Sequence, residues 1–279
     1  MTGHRDDPAA PKRSRDAKAV GSEGSLGNGK AADNFSNKQA LERAIRDHVV
    51  PSVGASEAAH QIPDLDAPTL FKYVVDGDEG QLKKVVPLLL KHNVTFEDFH
   101  DALLQPVFEL MQEGWHSDKL DFLTVDLATA RMQMICNALV HHRLKLRKDG
   151  SDTGPTVLIA QCSDDAHTMG LSVVRAFFTD AGWDVDGGAH VSPRAGLFET
   201  LGTSDYDLLA LSSGRENKEA VASVIERVRQ VSMNSGLTIC LGGPSVRDEL
   251  GQFDRVGADV VVGSASEAVA GAQTIMQAH

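Results

Sequence analysis

The sequence predicts an all-α segment followed by an α/β domain, and three observations carry that expectation. Residues 37–148 place apolar side chains at three- and four-residue spacing, the period of amphipathic helices. Residues 156–279 instead alternate short β-branched runs with helical stretches, which is typical of a parallel sheet covered on both faces. Between them, residues 149–155 are polar and punctuated by Gly and Pro, which indicates a linker. We therefore expect a four-helix-type bundle followed by a flavodoxin-like (Rossmann-like), doubly wound, five-stranded parallel sheet.

The charge balance limits the classes of partner. The chain has 27 basic and 39 acidic residues, a net of −12, while residues 1–36 hold six basic and five acidic ones, a net of +1. The remainder therefore carries −12 − 1 = −13. This acidic part argues against strong direct nucleic-acid binding, because a phosphate backbone needs a cationic face. Residues 1–36 are also poor in apolar side chains, which predicts a disordered tail.

Length and cysteine use exclude further classes. A chain of 279 residues has no room for a catalytic barrel of about 250 residues beside a second domain. No apolar run approaches the ~20 residues of a membrane span and no signal peptide opens the chain, so we expect a cytoplasmic protein without membrane contact. Cys136, Cys162 and Cys240 stand singly in apolar stretches, which favours buried side chains over disulfides or a zinc site.

The helical segment contains recognisable helix boundaries. Asn37 is typical of a helix N-cap, and its helix is expected to end near His48. Asp66 precedes a second helix that Gly77 breaks, and a third helix stops at Asn93.

Two longer helices follow within the same segment. Thr95 with Asp98 is a near-match to a capping box, and it opens a helix that Gly114 is expected to end. The longest helix is predicted over 118–148. Helices joined by such short connections predict an antiparallel bundle. The expected apolar face of the longest helix consists of Leu120, Leu123, Leu127, Ala130, Met134, Ala138 and Leu139.

The α/β domain is expected to bind its ligand at one edge of the sheet. In doubly wound sheets, ligands lie at the carboxyl ends of the strands, so the informative loops follow residues 162, 213, 241 and 262. The predicted strands are 156–162, 183–186, 207–213, 237–241 and 258–262, and the predicted helices are 168–181, 215–232, 245–253 and 265–277.

Three kinds of site compete at this edge. A phospho-acceptor receiver needs an Asp ending the third strand and a Lys ending the fifth, but Ser212-Ser213 and Gly263-Ser264 stand there. A nucleotide site needs a glycine-rich phosphate loop, and the sequence has neither GxGxxG nor GxxxxGK. The third possibility is metal ligation by a histidine.

His167 is the candidate metal ligand. It lies in the loop after the first strand, two residues after Asp165. A hydrogen bond from His167 Nδ1 to the Asp165 carboxylate would leave Nε2 free to bind a metal. Gly170 opens the next helix, and Gly242-Gly243 after the fourth strand would let a bulky group lie against the backbone.

These residues resemble the DxHxxG…SxL…GG signature of cobalamin-binding domains. The resemblance implies that His167 is the lower axial ligand of cobalt and that Asp165 is its hydrogen-bond partner. Gly214 departs from the signature, which has Leu at that place. The cofactor's detached nucleotide tail is then expected in a slot beside Gly170, Ser212, Ser213, Gly242 and Gly243.

The same resemblance assigns the bundle to the upper face of the cofactor, where the family often has Trp-x9-Glu-His. Trp115 is similar to that tryptophan and is expected to form a wall over the upper ligand. Val125-Asp126 stand where the Glu-His pair is expected, so the usual upper histidine is absent. His116 and His60 remain open as substitute upper ligands.

The N-terminal piece narrows the resemblance. Residues 41–51 (LERAIRDHVVP) and the following Ala58-Ala59-His60 resemble the start of the cobalamin-binding antirepressors of photosynthesis genes in purple bacteria, the PpaA/AerR group. The resemblance covers about residues 38–279. It implies a light- or redox-sensing photoreceptor in transcription regulation, and not an enzyme. Such a protein would bind adenosylcobalamin or hydroxocobalamin and a repressor of the PpsR/CrtJ type.

Two alternatives keep the fold and change the role. Related sensor domains hold haem in place of cobalamin, and His167 could ligate iron as readily as cobalt. A corrinoid methyl carrier of a methyltransferase system has the same layout of bundle and cobalamin domain.

Overall fold

The computed structural model describes residues 62–148, 154–164 and 168–278. The predicted tail over 1–36, the helix predicted from Asn37 and nearly all of the predicted linker lie outside these ranges. Their boundaries therefore remain predictions.

Helices occupy the described residues up to the linker. Asp66 caps the first of them, since its carboxylate accepts a hydrogen bond from the Thr69 backbone N–H at 2.9 Å. Gly77 ends that helix in the left-handed conformation, with φ of +70°. Both boundaries confirm the sequence prediction. The helices are α1 (Ala67–Asp76), α2 (Glu79–Lys91), α3 (Phe96–Phe99), a π-helical turn (His100–Leu104), α4 (Gln105–His116) and α5 (Phe122–Lys148).

Thr95 and Asp98 form the predicted capping box at the start of α3. The prediction that Gly114 ends the next helix is wrong, because α4 continues to His116. Gly114 is instead a packing position: a Cβ there would lie 2.7 Å from Leu120 Cδ1. The glycine therefore allows the connection to α5 to fold back onto the helix.

The long helix α5 is apolar on two sides, and most of the face expected from the sequence is exposed, although Leu139 of that face is buried. Leu123, Leu127 and Met134 are 61%, 43% and 70% exposed. Both sides repeat at three- and four-residue spacing, so periodicity alone cannot distinguish them. Packing against α1 and the first helix of the α/β domain selects the other side. That buried side carries Val125, Ala128, Met132, Ile135, Cys136, Leu139 and Val140.

The α/β domain has the predicted fold. Its five strands are all parallel in the order β2-β1-β3-β4-β5, which is the flavodoxin-like order. The strands are β1 (Thr156–Gln161), β2 (Asp184–Gly187), β3 (Leu208–Ser212), β4 (Thr238–Gly242) and β5 (Val260–Val261). The helices are α6 (Met169–Asp180), α7 (Leu197–Thr203), α8 (Lys218–Val231), α9 (Pro244–Asp248) and α10 (Ala265–Ala278), with a 3₁₀ turn at Leu250–Gln252.

Helix α7 was not expected from the sequence. Gly196, with φ of +83°, precedes it, and the buried Leu197 and Leu201 lie one turn apart on the sheet. Seven residues contain too few turns for the helical period to be recognised.

The two faces of the sheet belong to two cores. Side chains alternate between the faces of each strand, so Ile159 of β1 packs with the bundle while Leu158 packs on the opposite side with α7 and α8. The bundle and one face of the sheet thus share a continuous apolar core.

Asp180, at the end of α6, ties the bundle to the sheet domain. One carboxylate oxygen accepts a hydrogen bond from the Phe96 backbone N–H at 3.1 Å. The other lies 3.0 Å from Arg143 Nε on α5. The Phe96 ring also meets Phe177 of α6 edge to face, with centroids 5.3 Å apart. No helix within the described ranges combines the length and apolarity that crossing a bilayer requires.

Candidate functional site

A cleft opens where the strands end. It lies between the carboxyl ends of β3, β4 and β5, the start of α6 and the bundle. Its wall is mostly apolar, as in cofactor sites. The bundle contributes His100, Leu104, Gln105 and Phe108.

Four of the predicted cofactor residues meet in this cleft: Gly170, Ser212, Gly242 and Gly243. Gly243 packs so closely on β3 that a Cβ would lie 2.5 Å from the Ser213 carbonyl oxygen. A Cβ on Gly170, by contrast, would meet no atom of the described residues within 4 Å outside its own helix backbone and chain neighbours. The packing of the protein therefore requires a glycine at 243, whereas Gly170 leaves open space in the cleft.

Ser213 lies beside the cleft and does not line it. Its fully buried hydroxyl is 2.6 Å from the Ser245 hydroxyl and donates to Glu216 Oε2 at 2.9 Å. Its proposed contact with the cofactor remains a prediction. In the structure, Ser213 joins the β3 loop to the start of α9.

Glu216 is the centre of this network, and sequence reasoning missed it. Its carboxylate accepts hydrogen bonds from the Gly214 N–H at 2.8 Å, the Arg215 N–H at 3.2 Å and the hydroxyls of Ser213 and Ser163. Burial raises the pKa of Glu216, but these hydrogen bonds outweigh it and hold the pKa below its ordinary value. The carboxylate thereby links the loop after β1 to the loop after β3.

We expect Glu216→Gln to lower the free energy of unfolding by about 2 kcal/mol at pH 7, because it removes charge-assisted hydrogen bonds. The folded-state pKa is lower than the ordinary value of 4.5, so this stabilisation is fully present above that pH. It is lost as the pH falls through the folded-state pKa. Urea unfolding of both proteins between pH 3 and pH 8 should show a difference that shrinks below about pH 4.5. A difference independent of pH would contradict this role.

Asp165 and His167 lie outside the described residues, but the residues on either side are held firmly. The Asp164 carboxylate accepts a hydrogen bond from the Ser192 hydroxyl. Thr168 Oγ1 accepts one from the Gln133 amide of α5 at 3.2 Å, and the same amide donates to Ser172 at 3.0 Å. The bundle therefore contacts the chain directly after the predicted ligand.

Of the predicted upper-face residues, neither Trp115 nor His116 lines the cleft. Trp115 is half-buried against the bundle core, and its Nε1 is buried without a hydrogen-bond partner among the described residues. His116 is exposed at the end of α4. His60 lies outside the described residues. The roles assigned to all three remain predictions.

The cysteines carry no thiolate chemistry. All three are free and buried, and burial raises the pKa of Cys136 and of Cys240 to about 12 and raises that of Cys162 as well. In the described part of the chain, no cluster of three or more His, Cys, Asp or Glu side chains is arranged to hold a metal ion.

Comparisons with known proteins agree with this geometry. Residues 155–273 match the family model of the B12 binding domain. The chain is 22% identical over 153 residues to an uncharacterised 20.5 kDa protein from the bchF-crtJ intergenic region of Rhodobacter capsulatus, covering 55% of this chain and 79% of that protein.

A solved corrinoid protein shares the fold. The monomethylamine corrinoid protein of Methanosarcina barkeri superposes with a TM-score of 0.56 at 14% identity, over 74% of this chain and 96% of that one. A cobalamin-binding protein of Desulfitobacterium hafniense DCB-2 aligns over 75% of this chain and 98% of its own, at 18% identity and a TM-score of 0.38. Residues 155–273 are thus similar to B12 binding domains.

Proposed function

We propose that the protein is a cobalamin-dependent light or redox sensor that regulates transcription by binding a repressor of the PpsR/CrtJ type. The observation that carries the proposal is the cleft at the carboxyl ends of the strands, in the region that matches the B12 binding domain. Residues of the helical bundle line part of this cleft. We infer the regulatory role from residues 41–60, whose sequence resembles the start of the antirepressors.

The residues of the cleft fit a corrinoid. Gly170 leaves space that no other described residue fills, and the apolar walls suit the aromatic base of a cofactor tail. Ser212, Gly242 and Gly243 would hold that tail, while His167, supported by Asp165, would ligate cobalt from below. Bound cobalamin would supply a cobalt–ligand bond that light or a redox change can break.

Hydrogen bonds within the chain connect both ends of α6, which follows the predicted ligand loop, to the helical bundle. Gln133 connects α5 to Thr168 next to the ligand loop, and Asp180 connects the other end of α6 to α3 and α5. A change at the cofactor that displaces the start of α6 would thus bias the packing of bundle against sheet. The repressor would bind one of the two arrangements better.

Two features favour a repressor as the partner. The relative from Rhodobacter capsulatus is named for a position beside crtJ, which suits a partner of the CrtJ type. The net charge of −13 outside residues 1–36 favours association with a basic DNA-binding protein, since charge complementarity speeds and orients docking.

The deciding experiment is reconstitution in the dark, in parallel, with adenosylcobalamin, hydroxocobalamin and haem. We expect corrinoid spectra typical of histidine replacing the tail base on cobalt, and we expect His167→Ala to lose that signature completely. An unchanged spectrum in His167→Ala would remove the ligand assignment. Uptake of haem alone would establish the haem sensor instead.

A pull-down separates the sensor from the methyl carrier. Loaded protein and the immobilised repressor are mixed in darkness and after illumination. Binding that differs between the two states supports the proposal. Absence of binding in both states would contradict it and favour the carrier.

A further inference from the structure

His100 is the polar side chain that the bundle turns toward the cleft. It opens the π-helical turn, and it lines the cleft together with Leu104, Gln105 and Phe108. A π-helical turn adds a residue to the helical register, and such turns are frequent at functional sites. Leu104 and Phe108 are apolar, and the Gln105 amide already donates to Glu109 Oε1 at 3.2 Å.

The ring of His100 is held in one orientation. Its Nδ1 lies 2.7 Å from Asp101 Oδ1. The imidazole and Phe177 rings pack edge to face, with their centroids 5.3 Å apart. The side chain is only 12% exposed. Because an ionised carboxylate only accepts hydrogen bonds, Nδ1 carries the proton, and Nε2 remains as the second hydrogen-bonding atom. Within the described ranges, the hydrogen bond of this ring is the one between Nδ1 and Asp101 Oδ1, which leaves Nε2 without a partner there.

We propose that His100 binds the nucleotide tail of the corrinoid through Nε2, and so makes the bundle select corrinoids with a complete tail. This inference rests on the proposed corrinoid site. The tail is the part of the cofactor that carries ribose hydroxyls, and such a hydroxyl can donate a hydrogen bond to the unprotonated Nε2. The corrin ring system itself is shared by corrinoids without a tail, so the contact distinguishes the two kinds of ligand.

The test compares hydroxocobalamin with dicyanocobinamide, a corrinoid that lacks the nucleotide tail. Dissociation constants are measured by absorbance titration of the full chain for wild type, His100→Leu and His100→Gln. We expect His100→Leu to weaken hydroxocobalamin binding about 3- to 10-fold, the effect of one lost hydrogen bond, and to leave cobinamide binding unchanged. His100→Gln keeps a hydrogen-bonding side chain and should recover part of the loss.

His92→Leu is the matched control. His92 lies in the same bundle at the end of α2, away from the cleft, and its buried Nε2 has no hydrogen-bond partner among the described residues. Its replacement by an apolar side chain should leave both dissociation constants unchanged and the protein folded. Thermal unfolding followed by circular dichroism verifies that each variant is folded.

Equal weakening of both corrinoids in His100→Leu and His100→Gln would overturn the inference, because it indicates a packing role. Unchanged hydroxocobalamin binding in His100→Leu would also overturn it. In both of those outcomes wild type still binds corrinoid, so the proposed function stands. Failure of wild type to bind either corrinoid would instead overturn the proposed function and, with it, the tail contact.

Discussion

Gly243→Ala is expected to lower the free energy of unfolding by about 3 kcal/mol or more and to weaken corrinoid binding at least tenfold. Gly243 has φ of +106° and ψ of 175°, a combination that is essentially restricted to glycine. The added Cβ would lie 2.5 Å from the Ser213 carbonyl oxygen and 2.8 Å from Ser212 Oγ. The backbone at the end of β3 would have to move, and the wall of the cleft would move with it.

Urea unfolding and titration with hydroxocobalamin measure the two effects. Gly251→Ala is the matched control, because Gly251 has no atom within 4 Å of its added Cβ and does not line the cleft. We expect the control to stay within about 0.5 kcal/mol of wild type. A Gly243→Ala protein as stable as that control would show that β3 and β4 do not require the close approach.

Asp180→Ala is expected to lower the free energy of unfolding by about 2–3 kcal/mol and to separate cofactor binding from signalling. The substitution leaves the Phe96 N–H and the Arg143 guanidinium without their shared partner at the junction of bundle and sheet. Because Asp180 does not line the cleft, corrinoid affinity should change less than threefold. The difference in repressor binding between light and darkness should be lost.

A double-mutant cycle with Arg143→Met isolates the ion pair. We expect a coupling energy of about 1 kcal/mol between the two side chains, since both are partly exposed. Asp205→Ala, at an exposed aspartate before β3, controls for loss of a carboxylate anywhere on the surface. A coupling energy near zero with an unaltered light response would show that Asp180 does not connect the two parts.

Local signals in the sequence were sufficient for most of the fold. The caps at Asp66, Gly77 and Thr95 were predictable because a cap depends on hydrogen bonds within one turn of the chain. Strands β1, β3 and β4 were predictable because a strand buried on both faces is a continuous apolar run. The convergence of Ser212 and Gly242 at one edge followed from the parallel order of the strands.

Other features depended on contacts that no local pattern encodes. Glycine is typical of a helix end, yet Leu120 packs against Gly114 and the helix continues past it. Glu216 has no motif around it, and its role appears only when Ser163 and Ser213 are brought together from different loops. Nothing in the sequence around Glu216 indicates that this charged residue would be half-buried.

The sequence by itself determined that a helical segment precedes a doubly wound, five-stranded parallel sheet, because both are properties of period and spacing along one chain. Only the tertiary structure decided which side of α5 is buried, since both sides carry the same helical period. It also decided that His100 reaches the cleft, because that position depends on a π-helical turn and on packing against Phe177. Hydrogen bonding and burial between segments far apart in sequence are the physical reason for both.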